Sequence, residues 1–294
     1  MRTRRAPPAQ SHYRADVFTT LALFAAISWG ASDFVAGLIS RTLRPVVVVA
    51  WSQAVGCLAM CVVVAVQGLP ETGFSGWAPW AVLAGIAGSL GLLCFFAALA
   101  SGTMGVVAPI AALGGGIPVA LGVANGETPS SLAWVGIAVA LIGVVLASGP
   151  ELQLGVGTRS VALAALAAVG FGVALFCLDR GSRVSVVHTM WGMRVTSVLG
   201  YAVLALAVRS LGGVGVRRWP VLALVGLGDL LANLLFAVAS SSGLVSVAAV
   251  LGSLYPVVTI LLARKVLGER LRPIQQFGVG VALLGIVALA AAHS

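Results

Sequence analysis

The segment at residues 117–127, IPVALGVANGE, returns in altered form at residues 255–269, YPVVTILLARKVLGE. In each copy a proline within an apolar stretch is followed by a Gly-Glu pair and then by another apolar stretch. The two prolines, Pro118 and Pro256, lie 138 residues apart. The chain of 294 residues therefore contains one passage twice, and this duplication predicts its fold.

Other residues repeat at nearly the same spacing on either side of these segments. The matched pairs are Gly30 with Gly170, Trp51 with Trp191, and Gly136 with Gly278. Because each copy holds about five apolar stretches, an odd number, the second copy would begin on the opposite side of a membrane from the first. A duplication in sequence then becomes an inverted repeat in space. That arrangement is typical of secondary transporters, whose binding site lies between the repeats.

Composition predicts that the chain is embedded in a lipid bilayer. Hydrophobic residues make up 60% of the sequence, charged residues 9%, and the mean hydropathy is +1.10. A soluble domain has about 25% charged residues, so this chain has too few polar side chains to cover a water-exposed surface. The formal charge of +9 comes from basic residues scattered between apolar runs. Loops that face lipid headgroups explain that charge better than a nucleic-acid partner, which would need a clustered patch.

The apolar runs predict an all-α integral membrane protein with ten transmembrane helices, arranged as two inverted five-helix repeats. The predicted spans are 17–39, 45–66, 77–100, 103–124, 131–148, 160–178, 187–208, 219–240, 243–264 and 273–292. We expect a polar tail at 1–16, a first repeat at 17–148, a linker at 149–159 and a second repeat at 160–294.

Glycine and proline mark two features of these spans. Gly136 and Gly143 are two helical turns apart, as are Gly278 and Gly285, and small residues at that spacing predict seams where the last helix of each half packs against a neighbour. Three residues are candidates for hinges or helix breaks, namely Pro118, Pro256 and Gly115. Proline removes a backbone donor, and in lipid such a break is tolerated only where it faces protein or a water-filled cavity. A passive kink is the alternative.

Three ionisable residues, Asp33, Arg194 and Asp229, lie within predicted spans and mark the candidate site. A charge at the bilayer centre costs ~3 kcal/mol, so such residues normally face the interior of the bundle, where they pair or line a pathway. For Arg194, a purely structural ion pair or snorkelling to the interface is the alternative. Asn233 lies one helical turn after Asp229, and Trp29 one turn before Asp33, so each pair shares a helix face.

We therefore predict a substrate cavity among spans one, seven, eight and nine. Its candidate residues are Trp29, Asp33, Trp191, Arg194, Asp229, Asn233 and Tyr255. Arginine suits a substrate carboxylate, and a carboxylate beside an aromatic ring suits a charged amine on an apolar body. Asp33 and Asp229 are also candidates for proton coupling, because a carboxylate withdrawn from water holds a proton more readily.

Signals for an enzyme, a cofactor or a metal site are weak, and none of the three is predicted. His12, His188 and His293 lie far apart, and neither H-E-x-x-H nor a phosphate-binding glycine loop occurs. Cys57 and Cys61 share a helix face but have no nearby His or acid. Glu127 and Glu269 are interpreted as anions at the N-terminus of the span that follows each, where the helix dipole favours negative charge.

Several of these motifs resemble those of EamA-domain proteins. The run ISWGASDF at 27–34 resembles the W-G-S-x-F opening of that domain. Pro256, the run GERL at 268–271, Gly278 and Gly285 resemble its closing signature. The first half repeats that signature more faintly with Pro118, Gly126, Glu127, Gly136 and Gly143. Over nearly its whole length the chain is similar to two EamA units, as in the drug/metabolite transporter superfamily.

The resemblance implies ten helices in two inverted units, a central cavity, and movement of small metabolites such as amino acids or amphipathic compounds, commonly outward. It also implies that both termini are cytoplasmic. The distribution of Lys and Arg between the predicted spans favours the reverse orientation, because the side opposite the termini carries more of them.

The predicted function is secondary active transport of a small metabolite, as an exporter that works by alternating access in the cell inner membrane. The predicted partners are the substrate, the lipid bilayer and protons, and the chain would be a monomer or homodimer. A membrane-embedded enzyme acting on lipid is one alternative, and it would need a close His/Asp/Ser cluster at one interface. A non-transporting structural or sensor protein is the other, and it would lack a midplane cavity.

Overall fold

Every regular element in the described part of the chain is a helix. The computed structural model describes residues 8–68, 73–101, 104–148, 158–207, 209, 213–267 and 273–292. The helices are α1 (Pro8–Ser40), α2 (Pro45–Gln67), α3 (Ala78–Ser101), α4 (Met104–Ala112), α5 (Gly116–Ala124), α6 (Ser131–Ser148), α7 (Thr158–Ala207), α8 (Trp219–Ser242), α9 (Val245–Gly252), α10 (Tyr255–Leu267) and α11 (Pro273–Ala291). Short 3₁₀ turns at Leu113–Gly115 and Val216–Arg218 precede α5 and α8.

Seven helical stretches among the described residues are long and apolar enough to cross a bilayer. One of them, α7, has 50 residues, whereas about 20 residues span a membrane. Ser185 has extended backbone angles (φ −159°, ψ 112°) and divides α7 into two segments. Shorter apolar stretches lie in α6 (Ser131–Gly143) and α11 (Gln276–Leu289). These helices confirm the prediction of an all-helical, multi-pass membrane protein.

Some sequence-based expectations fall at the ends of these helices or outside the described residues. Helix α1 begins at Pro8, so the predicted polar tail at 1–16 is helical from that residue onward. Most of the predicted linker at 149–159 lies outside the described residues, as does Glu269 with the rest of its Gly-Glu motif.

The last helices of the two halves, α6 and α11, pack directly against each other through glycine. A side chain at Gly136 would meet Leu289, one at Gly143 would meet Ala282, and one at Gly285 would meet Ala140. Residue numbers rise along α6 as they fall along α11, so these two equivalent helices are antiparallel. The predicted seam is confirmed, and it joins the two halves.

Other contacts also join one half to the other rather than closing each half on itself. Helix α1 packs along α8, where the Ser28 hydroxyl donates a hydrogen bond of 2.8 Å to the carbonyl of Gly228. Helix α3 packs along α7, where the hydroxyls of Ser101 and Ser160 lie 3.1 Å apart. The pairing of α1 with α8 thus corresponds to the pairing of the first segment of α7 with α3. The buried core lies where the halves meet.

Two interrupted helices, α4–α5 and α9–α10, cross this core. The first changes to a 3₁₀ turn at Leu113–Gly115, and the second breaks at Ser253–Leu254. Pro118 and Pro256 each lie in the first turn after a break, where a missing backbone donor costs little. The two breaks touch, because a side chain at Gly115 would overlap the hydroxyl of Ser253.

Candidate functional site

An ion pair between Arg194 and Asp229 forms the centre of the candidate site. Arg194 Nη1 donates to Asp229 Oδ2 at 2.8 Å and also donates a short hydrogen bond to Gln53 Oε1. Gln53 Nε2 donates to the same Asp229 oxygen at 3.3 Å, and Asn233 Nδ2 donates to Asp229 Oδ1 at 2.9 Å. Both carboxylate oxygens of Asp229 are therefore hydrogen-bonded. The network draws on α2 of the first half and on α7 and α8 of the second.

Glycine lets the backbones of α2 and α8 approach closely enough for this network. A side chain at Gly226 would overlap the backbone of Ser52, the neighbour of Gln53. Gly56, one turn after Ser52, lies next to the arginine, since a Cβ there would be in ordinary contact with Arg194 Nε at 3.6 Å. Close helix approach at small residues is the usual packing mode in lipid, and here it brings an amide of one half to a carboxylate of the other.

The Arg194 guanidinium is only half satisfied by this network. The side chain is almost fully buried, at 1% exposure. Among the described residues neither Nε nor Nη2 has a hydrogen-bond partner. These two nitrogens form one edge of the guanidinium, and such an edge matches the two oxygens of a carboxylate. Leaving charged donors buried without partners is costly, which favours an anionic or water-mediated partner at this edge.

A second carboxylate, Asp33 of α1, lies near the first. Asp33 is 8% exposed and Asp229 is 9% exposed, and the two interact electrostatically. Among the described residues, no hydrogen bond and no cation is found at Asp33. The Tyr255 hydroxyl lies close by at the start of α10, where it donates a hydrogen bond of 3.1 Å to the carbonyl of Ala108. The site therefore holds two carboxylates and one arginine, and among the described residues the arginine pairs only with Asp229.

These side chains line a cavity where the two halves meet. About 80 Å³ of it is accessible to the centre of a water molecule, several times the space that one water requires. The lining residues are Trp29, Asp33, Gln53, Ala84, Gly88, Ser89, Leu92, Ala111, Ala112, Gly115, Phe171, Ala174, Leu175, Met193, Arg194, Ser197, Asp229, Asn233, Gly252, Ser253 and Tyr255. The polar groups lie among small and apolar walls, as in sites for small molecules.

Six of the seven predicted site residues line this cavity, and the seventh, Trp191, lies elsewhere. The Trp191 indole packs on Trp77 with ring centroids 6.3 Å apart, and its Nε1 donates to Cys61 Sγ at 3.4 Å. Trp51, its counterpart in the first half, also packs on a tryptophan, since its ring meets that of Trp219 edge to face with centroids 4.9 Å apart. Both members of the repeated pair thus contact a tryptophan at the start of a neighbouring helix. The repeat at this position marks helix packing rather than the cavity wall.

The predicted helix breaks also reach the cavity, but not through their prolines. Gly115 lines it, as do Gly252 and Ser253 at the second break, whereas Pro118 and Pro256 are buried behind them. Sequence reasoning missed Gln53, which belongs to the central network. Its signal was present, because an amide inside an apolar span needs a partner just as a carboxylate does. Within the described residues, no group of three His, Cys, Asp or Glu side chains could hold a metal ion.

Glu127 occupies a different position from the one predicted. Its carboxylate accepts hydrogen bonds from the backbone N–H groups of Val245, at 2.9 Å, and Ser246, at 3.2 Å. Glu127 therefore caps α9 of the other half, whereas the sequence predicted that it would serve the following helix, α6. The N-terminus of α6 has its own cap, since Ser130 Oγ accepts from the backbone N–H of Ala133.

An all-helical chain with long apolar helices and a polar cavity between its halves has the architecture of a multi-pass membrane transporter. A model of the EamA-like transporter family matches residues 19–149 and 158–291. The chain belongs to that family, within the drug/metabolite transporter superfamily. This membership agrees with the prediction that the chain is not an enzyme.

The fold is shared with a protein of known crystal structure. That structure aligns with a TM-score of 0.73 and 18% sequence identity, over 92% of this chain and 95% of the other. At this identity the likeness concerns the fold alone. Comparison with curated proteins gives no match.

Proposed function

We propose that the chain is a secondary active transporter that moves a small metabolite by alternating access, with ten transmembrane helices in two inverted five-helix repeats. The observation that carries this proposal is the buried network of Gln53, Arg194 and Asp229, which lines a cavity and joins one half to the other. Buried charges between helices are costly in lipid and normally mark a transport pathway. A site shared by two repeats is exposed to either side when one repeat rocks against the other.

The contact between α6 and α11 supports the inverted arrangement. These helices hold equivalent places in the two halves and run antiparallel, as the contacts of Gly136 with Leu289 and of Gly143 with Ala282 indicate. Equivalent helices of a parallel repeat would run in the same direction. The antiparallel direction of two equivalent helices supports a proposal in which one half is inverted relative to the other.

The cavity suits an amphipathic substrate with a carboxylate and an amine, such as an amino acid. The edge of Arg194 that has no partner among the described residues matches the carboxylate. Asp33 and Asp229 together exceed the charge of the arginine by one, so a substrate amine or a proton balances the site. Trp29 and Phe171 supply apolar walls. We propose export across the cell inner membrane, with Asp33 or Asp229 exchanging the proton.

Transport by the purified protein in reconstituted vesicles tests this proposal. A panel of amino acids and amphipathic metabolites is assayed with and without a proton gradient, and gradient-dependent uptake of one class is expected. Asp33→Asn and Asp229→Asn should abolish gradient-driven transport, because each removes a charge that balances Arg194 or a proton. Wild-type rates in both variants would rule out the assigned roles, and the absence of any transported solute would count against the function.

One contact bears on the alternative that the protein is a membrane-embedded enzyme. Ser185 Oγ lies 2.7 Å from His188 Nδ1, which is a serine–histidine pair at the division of α7. The other ring nitrogen, Nε2, lies 3.0 Å from the carbonyl of Gly68 rather than from a carboxylate. The ring also packs on Trp77. Nδ1 is thus engaged within α7, and Nε2 joins α7 to the end of α2, which favours a structural role over catalysis.

A further inference from the structure

One end of the molecule is held together by contacts that cross between the two halves. They involve the loop after α5, the division of α7 near Ser185, and the start of α9. At the centre is Glu127, whose carboxylate accepts from the backbone N–H groups of Val245 and Ser246. The first N–H groups of a helix have no partner within it, and the helix dipole attracts an anion there. A carboxylate of the first half thus accepts hydrogen bonds from the first N–H groups of a helix in the second half.

A cation and a second acid extend this contact to α7. Arg183 Nη2 lies 3.8 Å from Glu127 Oε1, and Arg183 Nε donates to Asp179 Oδ2 at 3.0 Å. Asp179 is fully buried, whereas the Arg183 side chain is 41% exposed. A nearby contact also joins the halves at this end, since His188 Nε2 lies 3.0 Å from the carbonyl of Gly68. These contacts therefore join the two halves at one end of the bundle.

Helix α9 connects this closed end to the cavity. All its residues, Val245–Gly252, are buried. The backbone N–H of its first residue donates to the Glu127 carboxylate. Its last residue, Gly252, lines the cavity beside Ser253. Because α9 is a short rigid rod, displacement of its N-terminus would be transmitted directly to the cavity wall. Glu127 is thereby a positioning residue that does not itself touch the cavity.

We propose that Glu127 is the latch of one gate of the transport cycle: its bonds to α9 hold this end closed and are broken each time the cavity opens there. The proposal rests on the transport function proposed above, because only a cycling protein needs the contact to break. The Gly-Glu pair of the first half then has a specific task, which is to lock a helix of the opposite half.

The test measures access to the gate without any solute. All four native cysteines are replaced, and Ser246→Cys, buried beneath the latch, reports its opening to a membrane-impermeant maleimide. We expect Glu127→Ala to raise the labelling rate of this cysteine roughly tenfold, because hydrogen bonds to a charged acceptor are lost. Glu127→Gln, which keeps the shape and loses the charge, should give a smaller rise and serves as the readout if the alanine variant does not fold.

Matched variants separate the latch from general loosening. Ser130→Ala removes a cap in the same loop that serves its own helix, and it should leave Ser246→Cys protected. Arg183→Ala should raise labelling, because it removes the cation that contacts both Glu127 and Asp179.

A second buried reporter, Ser40→Cys at the end of α1, checks the rest of the fold. Protection there, with exposure at Ser246→Cys, supports the latch. Equal exposure of both reporters, an unchanged rate in both Glu127 variants, or an equal rise in Ser130→Ala would overturn it. Because no solute is used, these outcomes are independent of whether vesicles show transport.

Discussion

Arg194 shows how a single residue ties stability to function in this protein. It is among the largest fully buried side chains, and it forms an ion pair with Asp229 in a cavity that a second carboxylate, Asp33, also lines. Ion pairs of this kind contribute little net stability, because desolvation offsets the attraction. Removing one partner is nevertheless expensive, since the other charge then remains buried without compensation. The arginine is therefore better explained by what it binds than by what it stabilises.

Replacing the arginine should separate these two roles. Arg194→Met leaves two buried carboxylates, and we expect it to lower the free energy of unfolding by ~3–5 kcal/mol, measured by thermal unfolding in detergent. In the double variant Arg194→Met/Asp229→Leu most of that loss should be recovered, because the pair is replaced by apolar groups. Transport should remain absent in both. Transport restored together with stability would show that the pair is only structural.

Gln53 is the residue that sequence reasoning overlooked, and it offers a clean comparison. Gln53 joins Arg194 to Asp229, whereas Gln67, at the end of the same helix, is exposed. We expect Gln53→Ala to reduce transport at least tenfold, since the amide orients both charged groups, and Gln67→Ala to leave it unchanged. Initial uptake rates in vesicles at matched protein density provide the measurement. Equal rates in the two variants would remove Gln53 from the site.

At the scale of elements, glycine decides which helices can touch. The contact of α6 with α11 depends on Gly143 and Gly285, where an added Cβ would press on the backbone of the facing helix. The sequence predicted a seam here from glycine spacing alone, and the spacing was sufficient because small residues leave few other packing modes in lipid. It did not predict the partner helix, which depends on how the two halves are placed.

Helix α11 contains two glycines that allow a controlled test of its packing against α6. At Gly285 a Cβ would lie 2.6 Å from Ala140 Cα, whereas at Gly280 it would meet nothing within 4 Å. We expect Gly285→Leu to destabilise the protein by about 1–3 kcal/mol, as overpacking does, and Gly280→Leu to have little effect. Thermal unfolding in detergent distinguishes the two variants. Equal stability would contradict the packing of α6 against α11.

The tryptophans show the difference between a repeated position and a position on the cavity wall. Trp191 was one of the seven residues predicted to line the cavity, and it is also the counterpart of Trp51 in the repeat. Repetition, however, marks what the two halves need in common, and both residues pack on the tryptophan of a neighbouring helix, Trp219 or Trp77. The charged site is asymmetric, since at the same offset of 140 residues Ser89 and Ala54 occupy the places in the first half that Asp229 and Arg194 occupy in the second. The repeated tryptophans therefore belong to helix packing, whereas the charged residues that line the cavity are not repeated.

At the scale of the whole molecule, the sequence repeat was the main basis for predicting the fold. Two copies with an odd number of apolar stretches each can cross a bilayer in few ways. The same pattern could not show which elements of one half meet the other. Glu127 is the clearest case. Its neighbours in sequence suggested a cap for α6, yet its carboxylate binds α9, which lies more than a hundred residues away in the chain. Such contacts depend on the packing of the halves, and no local pattern records them.

If the two halves are inverted, equivalent residues of the two halves lie on opposite sides of the membrane. Cysteine labelling at equivalent positions can measure this. Arg44, between α1 and α2, corresponds to Val184 at the division of α7, and both are exposed. If the halves are inverted and the termini are cytoplasmic, Arg44→Cys faces outward and Val184→Cys faces the cytoplasm. In a cysteine-free background, an impermeant maleimide added to intact cells should label the first and spare the second until the membrane is permeabilised.

The result separates inversion from orientation, because the two make different demands on the same pair of cysteines. Labelling of Val184→Cys alone would retain the inverted repeat and reverse the termini, as the distribution of Lys and Arg favours. A reporter fused to the C-terminus would then report from outside the cell. Labelling of both cysteines from the same side is the outcome that inversion forbids. It would require an even number of crossings between them, and a cavity formed by two halves facing the same way.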